Sequence, residues 1–254
     1  MNIKILVATH KPYWMPEDSI YLPVQTGAAL SVDDLGFTRD DSGDNISNRN
    51  RNYCELTGLY WAWKNLDADY IGLSHYRRHF TLRKGTDKQA LPVTGEELEP
   101  LLKKYDVILP RKRYYYIETS YTQYIHAHHK EDLDNTEAVL NDLYPEYLDA
   151  YREVMNRTCG HRFNMFIMKK DVFDEYCTWV FSILFELEKR LDISDYSMND
   201  AIVFGFVGER LLDVWIRKNQ IVYKEIPYIF MEKQDWIRKG GAFLKRKINS
   251  NKES

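Results

Sequence analysis

Short runs of apolar residues alternate along this chain with longer stretches in which apolar residues recur every three or four positions. The runs over residues 3–9, 69–74 and 106–110 predict buried strands, because their apolar residues do not alternate with polar ones. The stretches between them predict helices with one buried side. This alternation begins at the first residues and favours an α/β domain, with a mostly parallel central sheet and helices on both faces.

The remaining segments extend this prediction over most of the chain. Thr94-Gly-Glu-Glu97 is a capping box that opens a helix running to about residue 104. The polar connection over residues 10–52 is long enough to indicate a functional loop, and residues 111–135 show no clear period. No repeat or linker divides the chain, so we expect one domain over residues 1–235 and a basic tail over residues 236–254. Further helices are predicted over residues 53–65, 145–157, 171–191 and 199–219, and further strands over residues 162–169 and 220–226.

Charge, cysteine content and hydropathy exclude several classes of protein. The 35 basic and 38 acidic side chains give a net charge of −3, which does not fit a nucleic-acid-binding chain. Three widely spaced cysteines without a CxxC pair exclude a disulfide framework and a zinc ribbon, and they favour a reducing compartment. The chain start lacks a signal-peptide pattern, and the most apolar stretch, residues 179–185, is far shorter than a membrane span of about 20 residues. We therefore expect a cytoplasmic protein.

Basic residues follow three of the predicted strands. Ligands of open α/β sheets bind at the carboxyl ends of the strands. Because an arginine fork binds two phosphate oxygens at once, such clusters predict a phosphorylated ligand. For the third cluster, solvated loop charges are the favoured interpretation. The clusters are Thr9, His10 and Lys11 after the first strand, His75, Arg77 and Arg78 after the second, and Arg111, Lys112 and Arg113 after the third.

Motifs for several other chemistries are absent. The sequence has no GxGxxG and no GxxxxGK[ST], so a Rossmann dinucleotide site and a P-loop are unsupported, and it has no GxSxG or HExxH. His126, His128 and His129 suggest metal ligands, but no cysteine or carboxylate stands at ligand spacing beside them. A polar helix face explains these histidines at least as well, so the sequence predicts no metal site there.

Several strings along the chain resemble one bacterial family. That family occurs in capsular and exopolysaccharide gene clusters, was long labelled only as a domain of unknown function, and has galactofuranosyltransferase members. The resemblance covers about residues 3–230 and implies a nucleotide-sugar-dependent glycosyltransferase with a GT-A-like fold. The strings are His10-Lys-Pro12, Gly43-Asp-Asn-Ile-Ser47, Tyr53-Cys-Glu-Leu-Thr57 with Tyr60-Trp61 and Trp63-Lys-Asn65, Gly72-Leu-Ser-His-Tyr-Arg-Arg78, Gln123-Tyr124 with His128, Asn164-Met-Phe-Ile167, and Gly205-Phe-Val-Gly-Glu-Arg-Leu211 with Trp215.

The resemblance also bears on metal dependence. Ordinary GT-A enzymes end the corresponding strand in Asp-x-Asp, which holds a divalent metal against the diphosphate, whereas this chain has Ser74-His75-Tyr76. Since Mg²⁺ and Mn²⁺ prefer oxygen ligands, we expect no cofactor, with a divalent metal kept as the alternative. Arg77 and Arg78, together with His75, would then neutralise the leaving diphosphate.

The same resemblance assigns roles to individual residues. Glu209 stands about twelve residues before the last predicted strand, where inverting GT-A enzymes often carry an acid, and is our candidate catalytic base. Asp200 is the second candidate, although its place in the first turn of a helix, where the helix dipole favours an acid, explains it well without catalysis. For Glu209, an ion pair within its helix is about as good an explanation as catalysis. Donor binding is assigned to Thr9, His10, Lys11, Asp44, Asn45, Asn48, His75, Arg77 and Arg78, and acceptor binding to Tyr124, His128 and Asn164.

The resulting hypothesis is the transfer of a hexose, galactofuranose in the first instance, from a UDP donor to a lipid-linked oligosaccharide by inverting single displacement. This reaction would serve capsule or exopolysaccharide synthesis at the cytoplasmic leaflet. The basic tail, with Phe243 and Leu244, would rest on an anionic membrane at about 1 kcal/mol per basic residue, or would be a solubilising end. The alternatives are a non-catalytic glycan-binding module, a transferase of another UDP-hexose, and a sugar-nucleotide hydrolase or mutase.

Overall fold

A computed structural model describes residues 1–232 of the chain. The strands are β1 (Ile3–Thr9), β2 (Tyr21–Gln25), β3 (Thr38–Arg39), β4 (Tyr70–His75), β5 (Arg78–Phe80), β6 (Val107–Pro110), β7 (Arg113–Tyr114), β8 (Cys159–Gly160), β9 (Phe166–Lys169), β10 (Tyr223–Ile226) and β11 (Tyr228–Phe230). The α-helices are α1 (Asn50–Tyr53), α2 (Leu56–Asn65), α3 (Gly95–Leu102), α4 (Ser120–Ile125), α5 (Lys130–Leu143), α6 (Leu148–Met155), α7 (Lys170–Arg190) and α8 (Val203–Lys218). The predicted basic tail, residues 236–254, lies outside the described residues.

The central sheet has the strand order β10-β6-β9-β4-β1-β2-β3. Six of these seven strands run in one direction, and β9 alone runs against its neighbours β4 and β6. Strand β5 turns back from the end of β4, and β11 pairs with it. The predicted α/β class and mostly parallel main sheet are therefore confirmed, with one reversed strand that the sequence pattern did not indicate.

Residues of β1 and β4 point alternately to the two faces of the sheet, and each face has its own core. Leu6 packs with Leu73 in the larger core, which includes residues of α1, α2 and α4–α8. Ile5 lies in the smaller core, on the side of α3. Gly72 sits where β4 and β9 approach closely, since a Cβ atom there would stand 2.9 Å from the carbonyl oxygen of Phe166. Helices thus cover both faces, as predicted, but unequally.

Several predicted elements are interrupted for local reasons. The single helix predicted over residues 53–65 breaks at Cys54, which has a φ of 48°, and Asn50 donates a hydrogen bond from Nδ2 to the Cys54 carbonyl at 2.8 Å. The strand predicted over residues 162–169 begins only at Phe166, because the two residues before Met165 have positive φ angles. Through residue 232, no helix combines the length and the apolar character that crossing a membrane requires.

Candidate active site

The residues that follow β1 and β4 meet at one edge of the sheet, as the sequence predicts. The Thr9 hydroxyl donates to the Lys11 carbonyl at 2.7 Å and accepts from the Lys11 N–H at 3.3 Å, so it shapes the turn that carries His10 and Lys11. The His10 ring lies edge-on to Tyr76 at 5.5 Å, and Nζ of Lys11 lies 5.3 Å from the centre of the same ring. Because Thr9 is buried, it is a positioning residue for this turn.

His75 lies in this edge as a neutral imidazole. Its Nδ1 accepts the backbone N–H of Arg77 at 3.3 Å. Burial, followed by the charges of Arg78 and Arg77, lowers the pKa of His75 to about 2, and burial with Arg77 and Lys11 lowers the pKa of His10. A neutral ring offers hydrogen-bonding capacity, and the part of His75 in neutralising a diphosphate stays a prediction.

Arg77 and Arg78 carry the positive charge of the edge. The guanidinium carbon of Arg78 lies 4.2 Å from the centre of the Phe163 ring, and burial lowers the pKa of this arginine. A single carboxylate approaches Arg77 among the described ion pairs, that of Glu232 at 3.7 Å. Within residues 1–232, the buried Nε atoms of both arginines lack a hydrogen-bond partner. Unpaired buried donors on cations are costly in isolation, so this arrangement fits an anion-binding site.

Two glutamates lie beside Arg78. Oε1 of Glu209, on α8, accepts the backbone N–H of Phe163 at 2.8 Å, and the ring of the same Phe163 packs under Arg78. Oε1 of Glu55 accepts Nδ2 of Asn164 at 2.7 Å, and that amide also donates to the Gly205 carbonyl at 3.1 Å. Phe163 and Asn164 both have positive φ angles, 76° and 53°, a conformation that costs energy in residues other than glycine and often marks a functional site.

Sequence reasoning missed Glu55. Desolvation raises the pKa of its carboxyl, and the charge of Glu209 raises it further, while the Asn164 amide and Arg78 act in the opposite direction. The residue was placed inside a continuous helix over residues 53–65, and periodicity gave it no role there. The only signal was its presence in Tyr53-Cys-Glu-Leu-Thr57, one of the strings that carry the resemblance.

Asp200 lies in a different cluster from Glu209. Its Oδ1 lies 3.0 Å from Nδ1 of His128, and its Oδ2 accepts the Ser197 hydroxyl at 2.6 Å. These two hydrogen bonds lower the pKa of Asp200, which makes its carboxylate a weaker base. His128 stacks on Phe206 at 4.3 Å, so the cluster has a structural explanation of its own.

Of the three predicted acceptor residues, Asn164 is hydrogen-bonded to one of the two glutamates, Glu55. Tyr124 has no exposed surface, donates its hydroxyl to Asp132 at 2.7 Å, and lies 4.5 Å from the guanidinium carbon of Arg210. A fully buried ring cannot stack on a sugar in this conformation, so Tyr124 supports the core behind the site. Nη1 of Arg210 lies 4.0 Å from Oε2 of Glu209 and so connects this region to the site.

The structure places Asp44 and Asn45 away from the strand-end cluster. Asn65 holds Asp44, donating from Nδ2 to its carbonyl at 2.8 Å, and Asn45 Nδ2 donates to the Asp41 carbonyl at 3.1 Å. Asn65 ends α2, and Glu55 precedes the first residue of that helix, so about 15 Å of helix separates the two positions. Asn48 is exposed in a short 3₁₀ turn of the same loop. The loop itself follows the carboxyl end of β3, where Asp40 accepts the backbone N–H of Gly27 at 2.9 Å and the hydroxyl of Ser47, the neighbour of Asn48. Donor contacts for Asp44, Asn45 and Asn48 stay a prediction.

The described residues also bear on metal binding. Over residues 1–232, no group of three or more histidine, cysteine, aspartate or glutamate side chains is arranged to hold a metal ion. The end of β4 presents Ser74 and His75 rather than carboxylates. Metal independence stays a prediction, because residues beyond 232 and bound substrate can also supply ligands.

Comparison with known proteins gives a family and a structural relative. A model of the family described as "Domain of unknown function (DUF4422)" matches residues 4–220. The apo structure of the WbbM bifunctional glycosyltransferase is similar over 92% of this chain, with 31% sequence identity and a TM-score of 0.85. This chain spans 46% of the length of that protein. No curated protein gives a significant match.

Proposed function

This chain belongs to the DUF4422 family, and from that premise we propose that it is a glycosyltransferase. The family description names no activity, so the proposal draws on the fold shared with WbbM and on the site itself. Because the chain corresponds to about half of that bifunctional protein, donor, acceptor and linkage must be argued from the residues of this chain.

The observation that carries the proposal is the pairing of unsatisfied cations with carboxylates at one edge of the sheet. Arg77 and Arg78 present buried Nε donors without protein partners in the described structure, beside His10 and Lys11. A nucleoside diphosphate supplies the oxygens that such donors bind. Glu209 lies across Phe163 from Arg78, so a sugar attached to the diphosphate would extend towards a carboxylate.

In the proposed reaction, Glu209 takes the proton of an acceptor hydroxyl while the hydroxyl oxygen attacks the anomeric carbon of the donor sugar. The bond from that carbon to the diphosphate oxygen breaks, and UDP leaves with the electron pair. Arg77 and Arg78 stabilise the charge that develops on the leaving diphosphate. A single displacement inverts the anomeric carbon. Of the Glu209 side chain, 18% is accessible, which leaves a path for the acceptor.

Glu55 is a second candidate for the base because it lies in the same cluster with a raised pKa. A base with a raised pKa holds a transferred proton more readily at physiological pH. Glu209 remains our first assignment, since its carboxylate reaches Phe163 directly beneath Arg78. Glu55 then orients Asn164, which we place near the acceptor hydroxyl.

The finer assignments extend the sequence hypothesis. We propose UDP-galactofuranose as donor, a lipid-linked oligosaccharide as acceptor, and a role in capsule or exopolysaccharide synthesis at the inner face of the cell membrane. The alternatives are another UDP-hexose as donor and a glycan-binding module without catalysis. The cation cluster favours the enzyme over the module, because a neutral glycan offers no anion to these arginines.

The experiment is a transfer assay with a panel of UDP-hexoses, including UDP-galactofuranose, and a lipid-diphosphate oligosaccharide, with products weighed by mass spectrometry. We expect the acceptor to gain one hexose for each UDP released. Arg78→Gln should abolish transfer, and Arg152→Gln, a matched change at an exposed arginine, should not. Sugar release without acceptor would indicate a hydrolase. The absence of turnover, together with no protection against heat by UDP, would leave the glycan-binding module.

A further inference from the structure

The segment over residues 111–117, Arg-Lys-Arg-Tyr-Tyr-Tyr-Ile, exposes several large apolar side chains in sequence. The exposed fractions are 58% for Tyr114, 84% for Tyr116 and 59% for Ile117. Isolated exposed apolar residues are common on protein surfaces, but three within four positions form a patch of the kind that indicates an interaction surface. We refer to this segment as the 111–117 loop.

The loop is fixed by hydrogen bonds rather than loosely attached. β7 pairs with β8, and the backbone N–H of Tyr115 donates to the Thr158 carbonyl at 2.8 Å. The buried Arg162 donates from Nε to the Tyr115 hydroxyl at 2.5 Å, so the Tyr115 side chain points inward. With Tyr115 as the anchor, its neighbours Tyr114 and Tyr116 are held on the outside.

The charge of the loop is uniformly positive. Arg111, Lys112 and Arg113 contribute three cations, and residues 111–117 contain no acid. Lys112 is partly neutralised by Glu225 at 3.3 Å. The next acid along the chain, Glu118, is buried and pairs with His126, so it does not offset the exposed arginines.

We propose that the 111–117 loop docks on an anionic lipid surface. Tyrosines settle at the level of lipid headgroups, with the ring in the apolar region and the hydroxyl in water, while arginines bind anionic headgroups. An exposed isoleucine beside them adds apolar area that can enter the bilayer. Positive charge together with tyrosines that suit the headgroup region favours an anionic leaflet over a protein partner.

The position of the loop relative to the site supports this occupant. The loop continues directly from the carboxyl end of β6, and β6 runs in the same direction as β1 and β4. The loop and the Arg77–Arg78 cluster therefore emerge at the same edge of the sheet. Docking of the 111–117 loop would bring the candidate active site close to the bilayer. A lipid-linked acceptor would be found there, and this last step rests on the proposed function.

The test is co-sedimentation of the full chain with vesicles of phosphatidylcholine alone or mixed with phosphatidylglycerol. We expect binding to the anionic vesicles alone, and its loss at about 1 M salt, where the Debye length is about 3 Å. Replacing Arg111 and Arg113 by Gln should weaken binding about fivefold for each arginine. Tyr116→Asn with Ile117→Ser should weaken it about tenfold, and asparagine tolerates the φ of 61° at position 116.

The matched control is Val32→Ser with Met198→Ser, which removes two apolar side chains that are more exposed than those of the loop, at 101% and 93%, elsewhere on the surface. This control should bind vesicles like the wild type. Every variant keeps the basic tail, so any binding left after the loop changes measures the share of the tail. If the loop variants bind anionic vesicles as tightly as the control, the proposal is wrong.

Failure of this proposal is distinguishable from failure of the proposed function. Protection against heat by UDP and transfer to a water-soluble acceptor should be the same in the loop variants as in the wild type. Vesicle binding without any sugar transfer would retain the docking surface and reject the enzyme. Transfer without vesicle binding would retain the enzyme and reject the docking surface.

Discussion

Nδ2 of Asn164 lies 2.7 Å from Oε1 of Glu55 and so joins two segments that are 109 residues apart in the chain. The preceding residue, Phe163, donates its backbone N–H to Oε1 of Glu209 at 2.8 Å. Two consecutive left-handed residues are thus each fixed by one glutamate, and both glutamates lie beside Arg78. The strained left-handed conformation of these two residues can persist because the hydrogen bonds to the carboxylates hold it in place.

Asn164→Asp should destabilise the protein by about 2–4 kcal/mol at neutral pH, because it replaces a donor with a second carboxylate facing Glu55. Burial already raises the pKa of Glu55, and a new neighbouring charge would raise it further. A carboxyl with a raised folded-state pKa stabilises the protein below the unfolded pKa of about 4.3 and loses that contribution as pH rises. The deficit should therefore shrink on acidification, as measured by denaturant unfolding across pH.

The control for this change is Asn156→Asp, which alters an exposed asparagine whose Nδ2 donates to the Arg152 carbonyl at 2.9 Å. We expect Asn156→Asp to lower the free energy of unfolding only slightly, and by the same amount at acidic and at neutral pH. An Asn164→Asp deficit that stays constant from acidic to neutral pH would mean that the Glu55 carboxylate does not oppose the new charge.

Glu209→Gln should reduce kcat for transfer by about 10²–10⁴-fold, since the amide keeps the shape of the side chain but cannot take a proton. The Phe163 N–H can still donate to the amide oxygen, so the fold and the KM for the donor should change little. Initial rates at saturating donor measure this effect, with unfolding curves run in parallel.

Two matched variants accompany Glu209→Gln. Asp200→Asn should change kcat far less, because its carboxylate is committed to His128 and Ser197. Glu55→Gln should fold normally and lower kcat through the position of Asn164. A Glu209→Gln protein with the wild-type rate would remove the assignment, and a larger loss in Glu55→Gln would transfer the role of base to Glu55.

Much of the fold follows from local pattern, and the exceptions have a common cause. The apolar run of β1 predicts its observed bounds, and α7 begins and ends within one residue of the predicted helix. β2 escaped prediction because it contains Pro23 within a long polar segment, and its pairing with β1 and β3 decides its conformation. Single-sequence periodicity does not report such pairing between distant segments.

In the candidate site, too, the features set by local sequence were predictable and those set by contacts between distant segments were not. The meeting of His10 with the residues after β4 was predictable, since parallel strands end at one edge. Glu55 was not, because its place depends on a helix break at Cys54 and on a contact with Asn164. Asp44 is held by Asn65, at the far end of α2 from Glu55, and the donor contacts expected for Asp44 and Asn45 stay a prediction.

Arg78→Lys should weaken UDP binding by about tenfold or more, because a lysine ammonium cannot present two parallel donors to a diphosphate. Lysine also loses the flat contact of the guanidinium with the Phe163 ring. The shift of the melting temperature with UDP concentration measures the affinity. Arg152→Lys is the surface control, and equal affinity in both variants would place the diphosphate away from Arg78.

UDP binding should strengthen as pH falls from about 8 to about 6. Without ligand, burial and neighbouring cations lower the pKa values of His10 and His75, which keeps both rings neutral. A bound diphosphate offsets the charges of Arg77 and Lys11 and so raises the pKa of His10, and binding should therefore take up protons at that ring. Calorimetry in buffers of different ionisation enthalpy counts these protons. UDP itself also titrates in this range, so the protons taken up by the protein are given by the difference in proton uptake between the wild type and His10→Gln. Equal proton uptake in the two proteins would contradict the prediction.

Transfer should continue in the presence of a metal chelator. The end of β4 offers Ser74 and His75 where a divalent cation would need oxygen ligands, and Arg77 and Arg78 stand beside them with unpaired donors in the described part of the chain. The arginines would take the role of the cation by binding the diphosphate oxygens directly. Initial rates with EDTA, and with Mn²⁺ added back, measure the dependence, beside a metal-dependent transferase as positive control. Activity that disappears with EDTA and returns with Mn²⁺ would show that the arginines do not replace the metal.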